Sequence, residues 1–214
     1  MKKRSGKTVG VKPRAGRAKK RSSARDEATA VFLVGFMGAG KSSVGRALGE
    51  QLNWVFEDLD DCIERREGRS VAEIFRDSGE DEFRRAEHSA LRQMLEELRG
   101  GGVKIVALGG GAFVQERNAA LLAESAVPTV FLDAPVEELW RRCSQQASEA
   151  GAERPLLRSL EQFRRLHDAR RKSYTKASVR VQTGGRTVDA IAAEIATTLG
   201  LKRIGIRIEQ GEVE

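Results

Sequence analysis

An apolar run, Ala30-Val31-Phe32-Leu33-Val34, feeds directly into Gly35-Phe36-Met37-Gly38-Ala39-Gly40-Lys41-Ser42, after which the residues take up a helical period. The spacing G-x-x-x-x-G-K-S is that of a phosphate-binding loop, and it works only where a strand ends and a helix begins. Glycines let backbone N–H groups converge on phosphate oxygens, and the helix N-terminus adds a favourable dipole. In this reading the backbone of Gly38, Ala39, Gly40 and Ser43 helps to cradle the phosphates of ATP or GTP. Lys41 reaches the β- and γ-phosphates, and the Ser42 hydroxyl ligates Mg²⁺.

The rest of the chain agrees with a strand-loop-helix beginning. Short β-rich runs at 30–34, 54–57, 103–108, 127–132 and 178–181 alternate with helical patterns. The helices are expected at 41–52, 61–67, 71–76, 81–99, 115–124, 136–146, 160–174 and 188–199. Ser70 stands three residues before Glu73, the spacing of a capping box, and Gly200 is placed to end the last helix. Such alternation implies a parallel sheet covered on both faces, with ligands beyond the carboxyl ends of the strands. Residues 145–151 are small, polar and acidic and read as an exposed mobile loop.

Charge is distributed unevenly. The chain carries a formal net charge of +7, yet eleven of its 38 Lys and Arg fall within residues 1–25, which hold no acid. The remainder is mildly acidic, with 27 basic residues against 31 acidic ones. Residues 1–28 have almost no large apolar side chain with which to offset their ordering entropy, so they are expected to be disordered. No aromatic residue interleaves their charges, which favours a solvated arm over nucleic-acid contact. Cys62 and Cys143 can build no disulfide framework and lack metal-ligand spacing. No secretory segment follows the basic start, and the most apolar stretch, residues 30–40, is too short for a membrane span. A cytoplasmic setting is therefore expected, with no membrane partner.

Several residues away from the loop point to an acceptor. Asp58-Leu59-Asp60 follows the second strand, and a spacing of two in extended chain turns both carboxylates to one face. Asp58 is then available to a Mg²⁺ shell through water, and Asp60 to orient a substrate hydroxyl for attack. One of the adjacent Asp60 and Asp61 is expected to cap the next helix, a role Asp61 can fill. Gly109, Gly110 and Gly111 follow the third strand, where consecutive glycines allow close backbone approach to a ligand. Arg84 lies early in the 81–99 helix, and Arg170 opens an Arg170-Arg171-Lys172 cluster near a helix end. By themselves these arginines also read as a solvated face and a complement to the helix dipole.

The conjunction is more specific than any member. GFMGAGKSS, Asp-x-Asp after strand two, Phe83-Arg84, the triple glycine, Arg154-Pro155-Leu156-Leu157 and a late arginine before Tyr174 together resemble the shikimate kinases in order and spacing over residues 30–200. The resemblance implies a three-layer α/β P-loop kinase fold with a five-stranded parallel sheet in the order 2-3-1-4-5. It implies ATP-dependent phosphorylation of the shikimate 3-hydroxyl, with Mg²⁺. By position, Lys41, Asp60 and Arg154 would be catalytic. Asp60, Arg84, Gly109, Gly110, Gly111 and Arg170 would bind shikimate, and Ser42 and Asp58 would serve the metal. Arg142 would lie beside adenine, and Arg154 would sit on a lid of about residues 145–158. Lys172 stands where the family usually has proline, so Arg171 is an alternative to Arg170. The segment between Arg142 and Arg154 is longer than is usual in the family.

The expected organisation is a basic tail at 1–28, a kinase domain at 29–200 acting as a monomer, and an extension at 201–214. The alternation of Ile204, Ile206 and Ile208 fits either an edge strand or a frayed tail. His88 and His167 are expected to have no catalytic role, since phosphoryl transfer of this kind needs positioning and charge more than an imidazole base. The competing functions are a gluconate or nucleotide kinase and a catalytically silent loop-bearing module. Neither accounts for Asp60, Arg84 and the triple glycine together.

Overall fold

The computed structural model describes residues 28–150 and 159–204. Five strands form one parallel sheet in the order β2-β3-β1-β4-β5. They are β1 Ala30–Val34, β2 Val55–Asp58, β3 Lys104–Ala107, β4 Thr129–Asp133 and β5 Val179–Gln182. β1 and β4 are buried along their whole length, as strands covered on both faces must be, whereas the edge strands β2 and β5 include exposed positions. The register aligns Leu33 and Asp58 with Ala107 on either side of β3, so the carboxyl ends of β1, β2 and β3 finish level. The phosphate loop, Asp60 and the triple glycine therefore leave the sheet at one edge.

Seven helices among the described residues pack around the sheet: α1 Lys41–Leu52, α2 Leu59–Glu67, α3 Val71–Arg99, α4 Glu116–Ser125, α5 Val136–Ala150, α6 Leu160–Tyr174 and α7 Val188–Leu199. α1, α6 and α7 begin and end where the residue pattern places them. Ser70 and Glu73 form the expected capping box, and Gly200 closes α7 in the left-handed conformation. α3 joins what the pattern reads as two helices. Gly79, at φ 79° and ψ 177°, breaks its path, a backbone state that favours glycine. The break turns residues 80–99 so that Phe83, Leu91 and Leu95 enter the core.

Three local expectations need correction. α5 runs on to Ala150, so residues 145–150 are helical rather than loop. No glycine or proline lies between Pro135 and Gly151, and Ala and Glu there favour helix. Residues 151–158, which contain Arg154, lie outside the described residues, as do 1–27 and 205–214, including Ile206 and Ile208. α2 begins at Leu59, so Asp58 and Asp60 do not share one extended segment. The cap of α2 is Asp58, whose Oδ1 accepts from the Asp60 N–H at 3.1 Å, and not Asp61. The start of the C-terminal extension is tied down. Ile204 N–H donates to the Leu52 carbonyl at 2.9 Å, and Trp54 Nε1 donates to the Lys202 carbonyl at 3.1 Å. No helix among the described residues is long and apolar enough to cross a membrane.

Candidate active site

The phosphate loop is assembled from contiguous chain. Gly40, at φ 91°, is the N-cap of α1 and offers no side-chain cap, unlike Asp58, Ser70, Ser159 and Thr187 at other helix starts. Val44 N–H is the one that donates to the Gly40 carbonyl, at 2.8 Å. The N–H groups of Lys41, Ser42 and Ser43 thus face outward at the positive end of the helix. Lys41 Nζ donates to the carbonyls of Gly35 and Phe36 at 3.0 and 3.2 Å. Burial lowers its pKa against the opposing pull of Asp58 and Asp60. An anion arriving here supplies countercharge to a cation held only by neutral carbonyls. Ser42 Oγ donates to Asp58 Oδ2 at 2.9 Å, which joins a hydroxyl and a carboxylate beside the loop. Arg142 is braced by Glu138 at 2.6 Å and the Thr183 carbonyl at 3.0 Å, and reaches the Gly38 carbonyl at 3.3 Å.

The facing wall is assembled from four separate segments around a cleft of about 620 Å³ that also takes in Lys41 and Ser42. Asp60, in the first turn of α2, has a buried Oδ1 without a hydrogen-bond partner among the described residues. Burial, then Asp58 and Glu87, raise its pKa to about 6, with Lys41 opposing. A Cβ on Gly109 would come within 2.7 Å of that oxygen, and one on Gly111 within 2.6 Å of Arg84 Nη1. A side chain at either position would therefore have to displace one of the two charged groups. At Gly110 the nearest group, Arg170 Nη1, would be at 3.5 Å, an ordinary contact.

Arg84 departs from the expectation of an exposed, unpaired cation. Its Nη1 contacts both carboxylate oxygens of Glu87 at 3.1 Å, and its Nη2 reaches Glu80 at 3.0 Å. Glu87 is only 1 % exposed. Burial raises its pKa, and Arg84 opposes that rise. Asn118, also buried, donates to Glu87 at 3.5 Å and to the Ala112 carbonyl at 3.1 Å, which links the ion pair to the end of the glycine turn. His88 Nδ1 lies 2.8 Å from Asn118 Oδ1. An amide oxygen only accepts, so that nitrogen carries the proton and His88 supports Asn118 rather than facing the cleft.

The geometry separates the two late arginines. Arg171 turns away to Asp133 at 2.9 Å, a carboxylate that Arg180 also holds at 2.8 Å. Arg170 lines the cleft, with its guanidinium 5.9 Å from the Phe36 ring centroid. The described residues thus bring together Lys41, Ser42, Asp58, Asp60, Arg84, Gly109, Gly110, Gly111 and Arg170. They leave Arg142 at the outer side of the loop. Reading the sequence misses Glu87, although its place three residues after Arg84 on a helix is the available signal.

Comparison with known proteins follows the same line. A family model described as shikimate kinase matches residues 37–200. A shikimate kinase of Thermus thermophilus is 43% identical over 176 residues, covering 80% of this chain and 90% of that protein. That of Persephonella marina is 36% identical over 166 residues, covering 77% and 95%. Among solved structures, the shikimate kinase from Acinetobacter baumannii in complex with shikimate aligns with a TM-score of 0.70 at 32% identity, covering 80% of this chain and 93% of that one.

Proposed function

This chain belongs to the shikimate kinase family and carries out ATP-dependent phosphorylation of shikimate, a step of aromatic amino-acid biosynthesis, and we propose how its residues divide the work. The acceptor is the 3-hydroxyl. Its oxygen attacks the γ-phosphorus, the bond from that phosphorus to the bridging oxygen breaks, and ADP leaves as shikimate 3-phosphate forms. Ionised Asp60 accepts the hydroxyl proton. Its unpartnered Oδ1 is free to do so, and with a pKa of about 6 it is mostly charged at neutral pH.

Lys41 exchanges the Gly35 and Phe36 carbonyls for the β- and γ-phosphates, and the N–H groups of Gly38, Gly40, Lys41, Ser42 and Ser43 line the phosphate path, with Ala39 shaping the loop. Ser42 and, through water, Asp58 hold Mg²⁺. Two hard oxygen donors side by side suit an ion that keeps several waters and completes its shell with substrate oxygens. When bound, the ion neutralises charge on the phosphates. Arg84 and Arg170 clamp the shikimate carboxylate, and the glycine N–H groups take its hydroxyls. Arg142 lies beside adenine, and Arg154 closes onto the transferring phosphoryl group.

The observation that carries this reading is the convergence of a carboxylate with an unpartnered oxygen and two guanidiniums on one wall of a cleft whose other wall is the phosphate loop. The kinase body acts as a cytoplasmic monomer, and residues 1–28 take no part in catalysis. The test is ADP release with and without shikimate, with the product's phosphate position read by NMR. Phosphate on another hydroxyl would contradict the placement of Asp60.

A further inference from the structure

The glycine turn that separates Asp60 from Arg84 is held in a specific way. The Gly109 carbonyl accepts from Ala112 N–H at 3.0 Å, and the Gly111 carbonyl from Val114 N–H at 3.1 Å. Both bonds are backbone to backbone and belong to the turn itself. The Gly110 carbonyl is different, because its donor is a side chain, the hydroxyl of Tyr174. All three carbonyls are thus engaged, while none of the three glycine N–H groups has an acceptor among the described residues.

Tyr174 is the last residue of α6, 1 % exposed, and its ring lies on Phe131 of β4 with centroids 5.4 Å apart. The side chain of Arg170, one helical turn earlier, borders the same spot: Arg170 Nη1 and the Tyr174 hydroxyl are the two groups nearest to where a Cβ on Gly110 would stand, at 3.5 and 3.8 Å. The phenol proton goes to Gly110, and the positive charge of Arg170 acts on the phenol oxygen. Burial pushes the phenol up to about 12, which keeps that proton in place through the physiological range.

We infer that Tyr174 is a positioning residue for the acceptor site, a single buried oxygen that sets the glycine turn and Arg170 relative to each other. The peptide between Gly110 and Gly111 is planar and trans, so its C=O and N–H point in opposite directions. Drawing the carbonyl down to Tyr174 turns the Gly111 N–H up, to the side where the cleft and Arg84 lie. The other two anchors of the turn are built from backbone, so Tyr174 is the anchor that a side-chain change removes. This role rests on the reading of Arg170 and the glycines as acceptor-binding groups.

Tyr174→Phe keeps the ring and deletes the oxygen. In the full chain, KM for shikimate should rise about tenfold, the loss expected for one hydrogen bond, with kcat and KM for ATP within about twofold of wild type. Phe131→Leu serves as the packing control, since it disturbs the ring's bed but spares the hydroxyl. It should lower Tm and leave KM for shikimate unchanged. A Tyr174→Phe enzyme with wild-type KM for shikimate overturns the inference. So does one in which both substrates' KM values rise together, or a Phe131→Leu enzyme that reproduces the same rise. Arg170→Ala, assayed alongside, separates two failures. If it raises KM for shikimate and Tyr174→Phe does not, the positioning role alone is wrong. If Arg170→Ala changes nothing, the acceptor site itself is misassigned and the role of Tyr174 falls with it.

Discussion

The phosphate loop and the acceptor wall face each other across one cleft, but they are stabilised differently. The loop is eight consecutive residues running from the end of one strand into the first turn of one helix, its binding groups are backbone N–H, and its one cation rests on carbonyls of the same loop. The wall draws on α2, α3, the turn after β3, and α6, and its charges depend on other side chains or on no partner among the described residues. Arg84 is set against buried Glu87, Arg170 against Phe36 and Tyr174, and one oxygen of Asp60 has no hydrogen-bond partner among the described residues. A contiguous site takes its shape from local backbone geometry. A dispersed one depends on buried charge pairs, where removing one member leaves the other uncompensated and costs about 3–5 kcal/mol. Side-chain deletions should therefore affect acceptor use far more selectively on the wall than on the loop.

The strongest test of this contrast removes the unpartnered carboxylate. Asp60→Asn should lower kcat by roughly 10²- to 10⁴-fold, the usual contribution of a positioned base, while MgATP binding persists. If nucleotide affinity collapses as well, the two walls are not separable. The same change should alter stability in the opposite sense. A carboxyl whose folded pKa is raised from 3.8 to about 6 stabilises the fold fully below pH 3.8 and loses that contribution as pH rises through 6. Above pH 7, Asp60→Asn should thus be more stable than wild type by on the order of 2 to 3 kcal/mol, and near pH 3 the advantage should vanish. Denaturant titrations at both pH values read this directly.

Arg154→Ala should reduce kcat by about 10²-fold, as expected of a cation that acts mainly in the transition state. A rise in KM at constant kcat would make it a ground-state contact instead. Arg84→Ala should cut kcat/KM for shikimate at least about thirtyfold, with ATP affinity in the absence of acceptor within about threefold of wild type. With ATP saturating, kcat/KM for shikimate should fall about tenfold per pH unit on the acid side of the Asp60 titration. That limb lies near pH 6 for the ligand-free group, in which Lys41 already opposes the rise, and lower once Mg²⁺ shares the site. At the small end, a chain that starts near Asp26 should keep full activity, whereas a tenfold loss with the fold intact would place the basic arm in the site.

The two regions also differ in how far they can be read from sequence. Strand and helix positions emerge within a residue or two wherever periodicity and caps agree, as at Ser70, Glu73 and Gly200. The loop is legible because its chemistry is contiguous. The wall is legible only as a set of positions. Glu87 sits in a run of mixed charge, Glu-Asp-Glu-Phe-Arg-Arg-Ala-Glu, that reads as solvated, and its burial arises only when α3 packs on Asn118 and the turn after β3. Arg170 and Arg171 are indistinguishable in composition. About 100° of helix rotation separates them, and Asp133, on another strand, takes one and leaves the other to the cleft. Asp58 caps α2 because that helix starts earlier than the spacing implies, which leaves one Asp60 oxygen buried and unpartnered among the described residues by a route that a period of two does not anticipate.

The proposal that the acceptor wall recognises a carboxylate is tested most directly by comparing shikimate with an analogue that lacks only this group. Wild type, Arg84→Ala and Arg170→Ala should each be assayed for ADP release at saturating ATP, with Arg171→Ala as a fourth enzyme. Wild type should prefer shikimate by about thirtyfold or more in kcat/KM, the two wall variants should lose most of that preference, and Arg171→Ala should retain it. Equal use of both acceptors by wild type, or retention of the full preference by Arg84→Ala and Arg170→Ala, would contradict the clamp and the site built around it.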